Sequence, residues 1–183
     1  MRGTRRHWTD GNKATDMELI NLNNVMAVLE EYGQEVRNEY QDNLIKSGRI
    51  ATGDLLNSVE YRVETNGQVY EVKLTLEDYW KYVEDGTRPH WPPMDKILEW
   101  ITAKPVIPRP DDRGIKPTPR QLAYLIGRKI SEVGTEGSDD LQRAIDTINA
   151  KYRDKLVYAL SQDMEVIMKV IVGGIQGRMP GKE

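Results

Sequence analysis

Two long stretches of the chain carry apolar residues at intervals of three or four positions, the spacing of a helix that buries one face. The first predicts a helix over about residues 17–46, with Asp16 as N-cap and Ser47-Gly48 as its end. The second predicts a helix over residues 139–172, with Ser138 as N-cap. Its predicted apolar stripe consists of Leu141, Ile145, Ile148, Tyr152, Leu156, Leu160, Met164, Ile167 and Ile171.

Between the long helices, alternating residues on either side of Asn66-Gly67 predict a β-hairpin with a two-residue turn. Folding at that turn gives one apolar face and one face of opposite charges. A shift of the register by one residue would disrupt both faces. The predicted cross-strand pairs are Val63 with Tyr70, Tyr61 with Val72, Val59 with Leu74, Arg62 with Glu71 and Glu60 with Lys73.

Two shorter helices are predicted after the hairpin. The first follows Pro92-Pro93 and turns Ile97, Leu98 and Ile101 inward. The second begins at Thr118-Pro119 and ends at Gly134. Its predicted stripe consists of Leu122, Leu125, Ile126, Ile130 and Val133. Residues 104–119 hold five of the nine prolines, which predicts an extended surface loop between these helices.

Together these elements predict an α+β fold, in which a small antiparallel sheet based on the hairpin packs with two long and two shorter helices. A chain of 183 residues suits a single domain, which we place at residues 16–172. Residues 1–15 form a flexible basic N-terminal arm in this interpretation, and residues 173–183 form a C-terminal tail. We expect both terminal segments to become ordered mainly on assembly.

Composition narrows the classes of function. The net charge of -3 provides no overall attraction to nucleic acid or to an anionic membrane. The absence of cysteine excludes disulfides, thiol catalysis and zinc–thiolate sites, and it fits a reducing cytosol. The longest strongly apolar run, residues 166–175, is about half of a membrane span and includes Lys169, so we expect a soluble protein.

No motif typical of an enzyme occurs in the sequence. The two histidines, His7 and His90, lack a partner at i±4 that would complete a metal pair on a helix. A cation held by Glu84, Asp85 and His90 is conceivable, but a solvated turn is the favoured interpretation. Because no nucleophile elbow, Walker loop or dinucleotide fingerprint is present, we predict no catalytic residue, metal or cofactor.

Basic residues gather in two regions of this net acidic chain. Those of the arm are Arg2, Arg5, Arg6 and Lys13, and those of the Pro-rich loop are Lys104, Arg109, Arg113, Lys116 and Arg120. Ordinary solvated loops are the simpler interpretation. The functional alternative is contact with the DNA backbone or with an acidic protein groove. No recognition helix accompanies them, so sequence-specific readout is not expected.

The segment DYWKYVEDGTRPHWPP, residues 78–93, predicts a surface that binds another protein. Aromatic residues and arginine are favoured at the centres of protein interfaces, and prolines stiffen the end of this segment. The interface candidates are Tyr79, Trp80, Tyr82, Arg88 and Trp91, joined by Arg109 and Arg113 of the loop. The alternative is that the aromatics cap the hairpin core. The two interpretations are compatible if Tyr79 and Val83 point into the core while Trp80 and Trp91 point outward.

The stretches TGDLLNSVEYRV and YWKYVEDGTRP, on either side of the hairpin, resemble the phage tail-completion proteins, also called head–tail joining or neck proteins. The similarity covers roughly residues 16–150 and includes a second Gly-Thr turn before the last helix. SDDLQ stands where the family commonly has an aromatic residue after that turn. The motif residues are Gly53, Leu55 and Ser58 before the hairpin and Tyr79, Tyr82, Val83, Glu84, Gly86 and Thr87 after it. The resemblance implies structural roles in the turn for Gly53, Ser58, Glu84, Gly86 and Thr87.

What the resemblance implies is a non-enzymatic virion protein of a tailed bacteriophage, made in the host cytoplasm. It would form a ring at the neck that joins the capsid portal complex to the tail. The implied partners are copies of itself, neck proteins on the portal side, tail proteins and genome DNA passing non-specifically through the lumen, with no membrane. A tail terminator or another portal-proximal ring protein is the structural alternative. An accessory protein that binds DNA through its basic arm is the alternative from another class.

Overall fold

A computed structural model describes residues 22–104, 106–110 and 112–176 of the chain. These residues form six helices and two antiparallel two-stranded sheets. The elements are α1 (Asn23–Lys46), α2 (Asp54–Ser58), β1 (Glu60–Thr65), β2 (Tyr70–Thr75), α3 (Trp80–Glu84), β3 (Gly86–Thr87), α4 (Met94–Ala103), α5 (Pro119–Val133), β4 (Thr135–Glu136) and α6 (Asp140–Gln176). The predicted α+β class is confirmed. Two short helices and the β3–β4 sheet are additional to the predicted elements.

Several predictions fall on parts of the chain beyond these ranges. The basic arm at residues 1–15 and the proposed cap Asp16 lie outside the described residues. Within them, α1 begins at Asn23, later than predicted, and Leu22 occupies its N-cap position. At the other end α6 continues to Gln176, past the predicted limit at residue 172. Residues 177–183 of the predicted tail are outside the description.

The helices α1 and α6 run antiparallel and carry the main core between them. Buried residues of α1 face buried residues of α6, and the hairpin closes the core through Leu74. The rings of Tyr32 and Tyr152 meet edge to face with centroids 5.7 Å apart. The buried apolar side chains on the two helices are Val36, Tyr40 and Leu44 of α1 and Leu141, Ala144, Ile148, Tyr152 and Ala159 of α6.

The predicted stripe of α6 is buried only in its N-terminal part. Leu160, Met164 and Ile171 of that stripe are exposed, which contradicts the prediction. For Met164 and Ile171 the reason lies at Asp163, whose carboxylate accepts the backbone N–H groups of Asn24 at 3.1 Å and Val25 at 2.9 Å. Because α1 begins there, the part of α6 beyond Asp163 extends past its partner helix.

The strands β1 and β2 form the predicted hairpin, but in another register. Val63 lies opposite Val72 instead of Tyr70, a shift of two residues. The connection is longer than the predicted Asn66-Gly67 turn, and the side chain of Asn66 stabilises it by accepting the N–H groups of Gln68 at 3.0 Å and Val69 at 2.9 Å. A shift by an even number keeps every side chain on its predicted face.

The charge pairing predicted for the outer face of the hairpin is therefore wrong. Arg62 lies opposite Lys73, and Glu64 lies opposite Glu71. The repulsion between these like charges is offset because Lys73 pairs diagonally with Glu64 and along its own strand with Glu71 at 3.1 Å. Val59, predicted to face Leu74, lies before β1 and is fully buried in the core.

The helices α4 and α5 pack on each other in a second, smaller cluster. The inward positions predicted for α4 are confirmed, with Ile97 and Ile101 buried. On α5 the packed face centres on Ala123 and Gly127, whose small size lets the helices approach. Leu125 and Val133, predicted to lie in the stripe, are exposed instead. Thr118 caps α5 as predicted, in a reciprocal arrangement with Gln121.

Candidate functional site

The segment 78–93 contains a buried carboxylate that holds the start of another helix. Glu84, the last residue of α3, accepts the backbone N–H groups of Leu141 at 3.0 Å and Gln142 at 2.9 Å. These amides lie in the first turn of α6, where they have no partner within the helix and where the helix dipole favours a negative charge. Glu84 therefore caps α6 from an element that is distant in sequence.

Ser138, the predicted N-cap of α6, does not have that role. The helix begins at Asp140, after Asp139 with a φ of 51°. Ser138 donates its backbone N–H to the carbonyl oxygen of Glu84 at 2.9 Å. Its hydroxyl is buried without a hydrogen-bond partner among the described residues. The prediction was wrong because it considered only local caps, whereas Glu84 fills this position through the tertiary structure.

Two Gly-Thr pairs, Gly86-Thr87 and Gly134-Thr135, fix the backbone of this turn next to the start of α6. The strands β3 and β4 pair so that the hydroxyl oxygens of Thr87 and Thr135 are 2.9 Å apart. Gly86 has a φ of 73°, and a Cβ at this position would lie 2.2 Å from the carbonyl oxygen of Thr135. Gly134 has a φ of 77°, and its Cβ would lie 2.0 Å from the carbonyl oxygen of Thr87. Both glycines are thus required by the backbone angle and by the close approach of the opposite strand.

The motif before the hairpin is joined to the segment after it. The hydroxyl of Tyr79 accepts the N–H of Leu55 at 3.0 Å, and the hydroxyl of Ser58 accepts the N–H of Glu77 at 3.1 Å. Gly53 precedes α2 with a φ of 89°. Burial raises the pKa of the Tyr79 hydroxyl above its ordinary value. These contacts bring the two motifs of the resemblance to one end of the hairpin.

A group of buried polar residues surrounds the first turn of α6. The carboxylate of Asp140 accepts the hydroxyl of Ser47 at 2.8 Å and pairs with Arg143. The side-chain amide of Asn43 donates to the backbone carbonyl of Asp140 at 3.1 Å. Burial, and then the nearby charges of Glu84 and Asp140, raise the pKa of Tyr40. Apart from the Tyr40 hydroxyl, which has no hydrogen-bond partner among the described residues, these groups bond to one another and to the backbone, which favours a structural role over acid–base chemistry.

The predicted interface residues of the segment differ in their exposure. Tyr82 is 66% exposed and Trp91 is 50% exposed, and Arg88 is also exposed. Trp80, predicted to point outward, is instead half-buried and packs against the core cluster that contains Tyr40 and Leu44. Trp91 lies beside Tyr124 of α5, with ring centroids 5.6 Å apart. The periodicity of α5 gave no signal for a role of Tyr124, which lies off the predicted stripe.

The cation site considered from the sequence is not assembled. Glu84 is directed at the amides of α6, and the imidazole Nδ1 of His90 lies 2.8 Å from the carbonyl oxygen of Arg88. Asp85 is exposed beside them. In the part of the chain that the structure describes, no group of three or more acidic or histidine side chains is placed to hold a metal ion.

The basic residues of the Pro-rich loop meet the first turn of α5. They line one side of an open depression of about 710 Å³, which Tyr124 and Leu125 complete on the other side. The described residues of this loop up to Thr118 form neither helix nor strand, as predicted, whereas Pro119 already belongs to α5. The basic residues that the structure brings together here are Arg109, Arg113, Lys116 and Arg120. The arm residues Arg2, Arg5, Arg6 and Lys13 lie outside the described ranges.

Residues 16–86 match the model of a protein family described as "Bacteriophage HK97-gp10, putative tail-component". The match supports a tailed-phage tail or neck family, and with it a structural component of the virion. It includes the motif before the hairpin and the motif after it as far as Gly86, so Thr87 and the second half of the chain lie beyond it. None of the curated proteins and none of the solved structures compared matches the chain. Among the described helices, none has the length and apolar character needed to cross a membrane.

Proposed function

We propose that this protein is a ring-forming subunit of the neck of a tailed bacteriophage, where it joins the capsid portal complex to the tail. The observation that supports this proposal most directly is the match of residues 16–86 to a phage tail-component family. The carboxylate of Glu84 and the hydroxyl of Tyr79 form hydrogen bonds with backbone amides of the same molecule. Such an arrangement suits a rigid assembly part better than an enzyme.

The far end of α6 supports assembly with other copies. We call residues 164–172 the unpartnered end of α6. Apolar side chains are exposed on several sides of the helix here, including Met164, Val166, Met168, Val170 and Ile171. A continuous exposed apolar surface marks a site of association. Copies that bury this surface in a head-to-tail contact would close into a ring when the rotation between neighbours permits.

The exposed aromatic corner supports contact with proteins on the portal or tail side. Tyr82, Arg88 and Trp91 lie outward from a turn whose backbone the β3–β4 pair holds. Rigid aromatic residues lose little entropy on binding and are frequent at interface centres. The basic depression at the Pro-rich loop would contact DNA in the lumen or an acidic neighbouring protein.

The test is imaging of purified virions that carry a labelled copy of the chain. We expect several copies arranged in a ring between portal and tail. A ring within the tail would favour the alternative of a tail terminator, and a position elsewhere next to the portal would favour another ring protein. Absence of the label from purified virions would contradict the proposal.

The basic arm supports a second candidate, a DNA-binding accessory protein. Arg2, Arg5, Arg6 and Lys13 are close together in a chain of net charge -3. The discriminating measurement is the affinity for duplex DNA as a function of salt, with and without residues 1–15. The matched control replaces the four arm cations with glutamine. We expect weak binding in all three proteins, whereas tight binding that both changes abolish would favour the accessory role.

A further inference from the structure

A groove at the opposite end of the molecule from the start of α1 combines an apolar floor with basic walls. It has a volume of about 780 Å³ and lies between the end of α1 and the helices α3, α4 and α5. Val83, Ile97, Trp100, Ile126 and Ile130 are among the apolar residues that line it. Among the described residues, its basic lining consists of Arg49, Lys96, Lys104 and Lys129, and no carboxylate lines it.

Three of these four cations are not neutralised within the described residues. Arg49 donates to the backbone carbonyls of Glu136 at 2.8 Å and Gly137 at 2.9 Å, and Lys104 donates to that of Gly48. Neither of them, nor Lys129, lies within ion-pair distance of a carboxylate in the described part of the chain, whereas Lys96 pairs with Glu99 at 2.9 Å. A peptide with both acidic and apolar side chains is complementary to the basic walls and to the apolar floor of this groove.

The chain contains a segment of this chemistry. Residues 16–20, Asp-Met-Glu-Leu-Ile, place two carboxylates among three apolar side chains. This segment lies outside the described residues and ends two positions before Leu22, the N-cap residue of α1.

A single copy cannot bring this segment to its own groove. The groove begins at Ser47, at the far end of α1, and 24 helical residues separate the two ends by about 36 Å. An extended chain from Leu22 back to Asp16 spans at most about 21 Å. The segment and the groove therefore meet only between different copies.

We propose that the groove binds residues 16–20 of a second copy of the chain. The carboxylates of Asp16 and Glu18 lie against the basic walls, and the apolar side chains lie on the floor. Because the donor segment and the acceptor groove are different surfaces at opposite ends of the molecule, the contact is head-to-tail and repeats from copy to copy. This inference rests on the proposed assembly of copies into a ring and names the contact that joins them.

The test measures binding of a fluorescently labelled peptide of residues 14–22 to the full-length protein by anisotropy. We expect the double variant Lys96→Glu/Lys129→Glu to bind this peptide at least about tenfold more weakly than the wild type. The control Arg62→Glu/Arg153→Glu has the same change in net charge at exposed positions away from the groove and should bind like the wild type. A peptide with Asp16→Lys and Glu18→Lys should regain binding to the Lys96→Glu/Lys129→Glu protein.

Three outcomes overturn the proposal. One is that the wild-type peptide does not bind. Another is that it binds the wild type and the groove variant equally, which would place it on another surface such as the unpartnered end of α6. The third is that a labelled DNA duplex, measured in parallel, binds the groove while the peptide does not. None of these measurements involves a virion, so a failure here is distinguishable from absence of the protein at the neck.

Discussion

Both ends of α6 carry residues of the predicted apolar stripe, but their surroundings differ. We call residues 138–152 with Glu84 the anchored end, where Glu84 caps the helix and Ile148 is only 2% exposed. At the unpartnered end, Val170 is 70% exposed. The boundary lies near Asp163, opposite the first turn of α1. The difference teaches that apolar periodicity makes a helix able to pack, whereas a facing element decides whether it does.

The largest loss of stability is expected from Gly86→Ala, which disrupts the β3–β4 pairing at the anchored end. The added Cβ would lie 2.2 Å from the carbonyl oxygen of Thr135, at a φ of 73°. We expect the free energy of unfolding to fall by more than about 4 kcal/mol, measured by urea denaturation. The control is Gly48→Ala, which has a φ of 64° but nothing within 4 Å of the added Cβ. It should cost about 1–2 kcal/mol. Equal losses in the two variants would show that the close approach is unimportant.

The same substitution at both ends of α6 tests the comparison directly. Ile148→Ala removes a buried side chain between α6 and α1, so we expect a loss of about 2–5 kcal/mol in the free energy of unfolding. Ile171→Ala changes a half-exposed side chain and should alter the stability of the isolated chain by less than about 0.5 kcal/mol. The measurement is urea denaturation at low protein concentration. A large loss in Ile171→Ala would mean that the unpartnered end is covered within one chain.

Loss of the distant cap is expected to have an intermediate effect. Glu84→Gln removes the charge that accepts two amides of α6, and we expect a loss of about 1–3 kcal/mol in the free energy of unfolding. The neighbouring exposed residue provides the control, since Asp85→Asn removes a similar charge without a buried partner. Hydrogen exchange of the Leu141 and Gln142 amides should quicken in Glu84→Gln alone. Unchanged exchange would exclude capping by Glu84.

The smallest effect is expected from Tyr40→Phe. The Tyr40 hydroxyl is buried without a hydrogen-bond partner among the described residues, so its removal should leave stability unchanged or raise it by up to about 1 kcal/mol at pH 7. Burial raises the pKa of Tyr40, so its neutral form favours the folded state. That contribution is complete below the ordinary tyrosine pKa and disappears as the pH rises through the raised value.

Denaturation measured at increasing alkaline pH checks the predicted direction of this change in stability. The wild type should lose stability above about pH 10, whereas Tyr40→Phe should lose less. Tyr82→Phe is the control because the Tyr82 side chain is exposed and should leave the alkaline loss unchanged. A steeper alkaline loss in Tyr40→Phe than in the wild type would contradict the assignment.

The candidate site was partly predictable from the sequence. The segment 78–93 stood out through its aromatics and prolines, and three of its four aromatic interface candidates, Tyr79, Tyr82 and Trp91, lie exposed as an interface would require. Trp80 could not be placed, because an aromatic side chain serves equally well in a core and on a surface. The role of Glu84 as a cap could not be predicted from the sequence either, since its partners Leu141 and Gln142 lie more than fifty positions further along the chain.

What the sequence alone determined is the order of the main elements and the face that each strand turns to the core. Helical and alternating periodicities are local properties of the sequence, so they can be read without knowing which element packs against each helix or strand. The tertiary structure alone decided the hairpin register, the caps of both long helices and the point on α6 where burial stops. Alternation is insensitive to a shift of two residues, and Glu84 and Asp163 find their amides only once distant segments meet. These features depend on contacts between residues far apart in the chain, which no local pattern records.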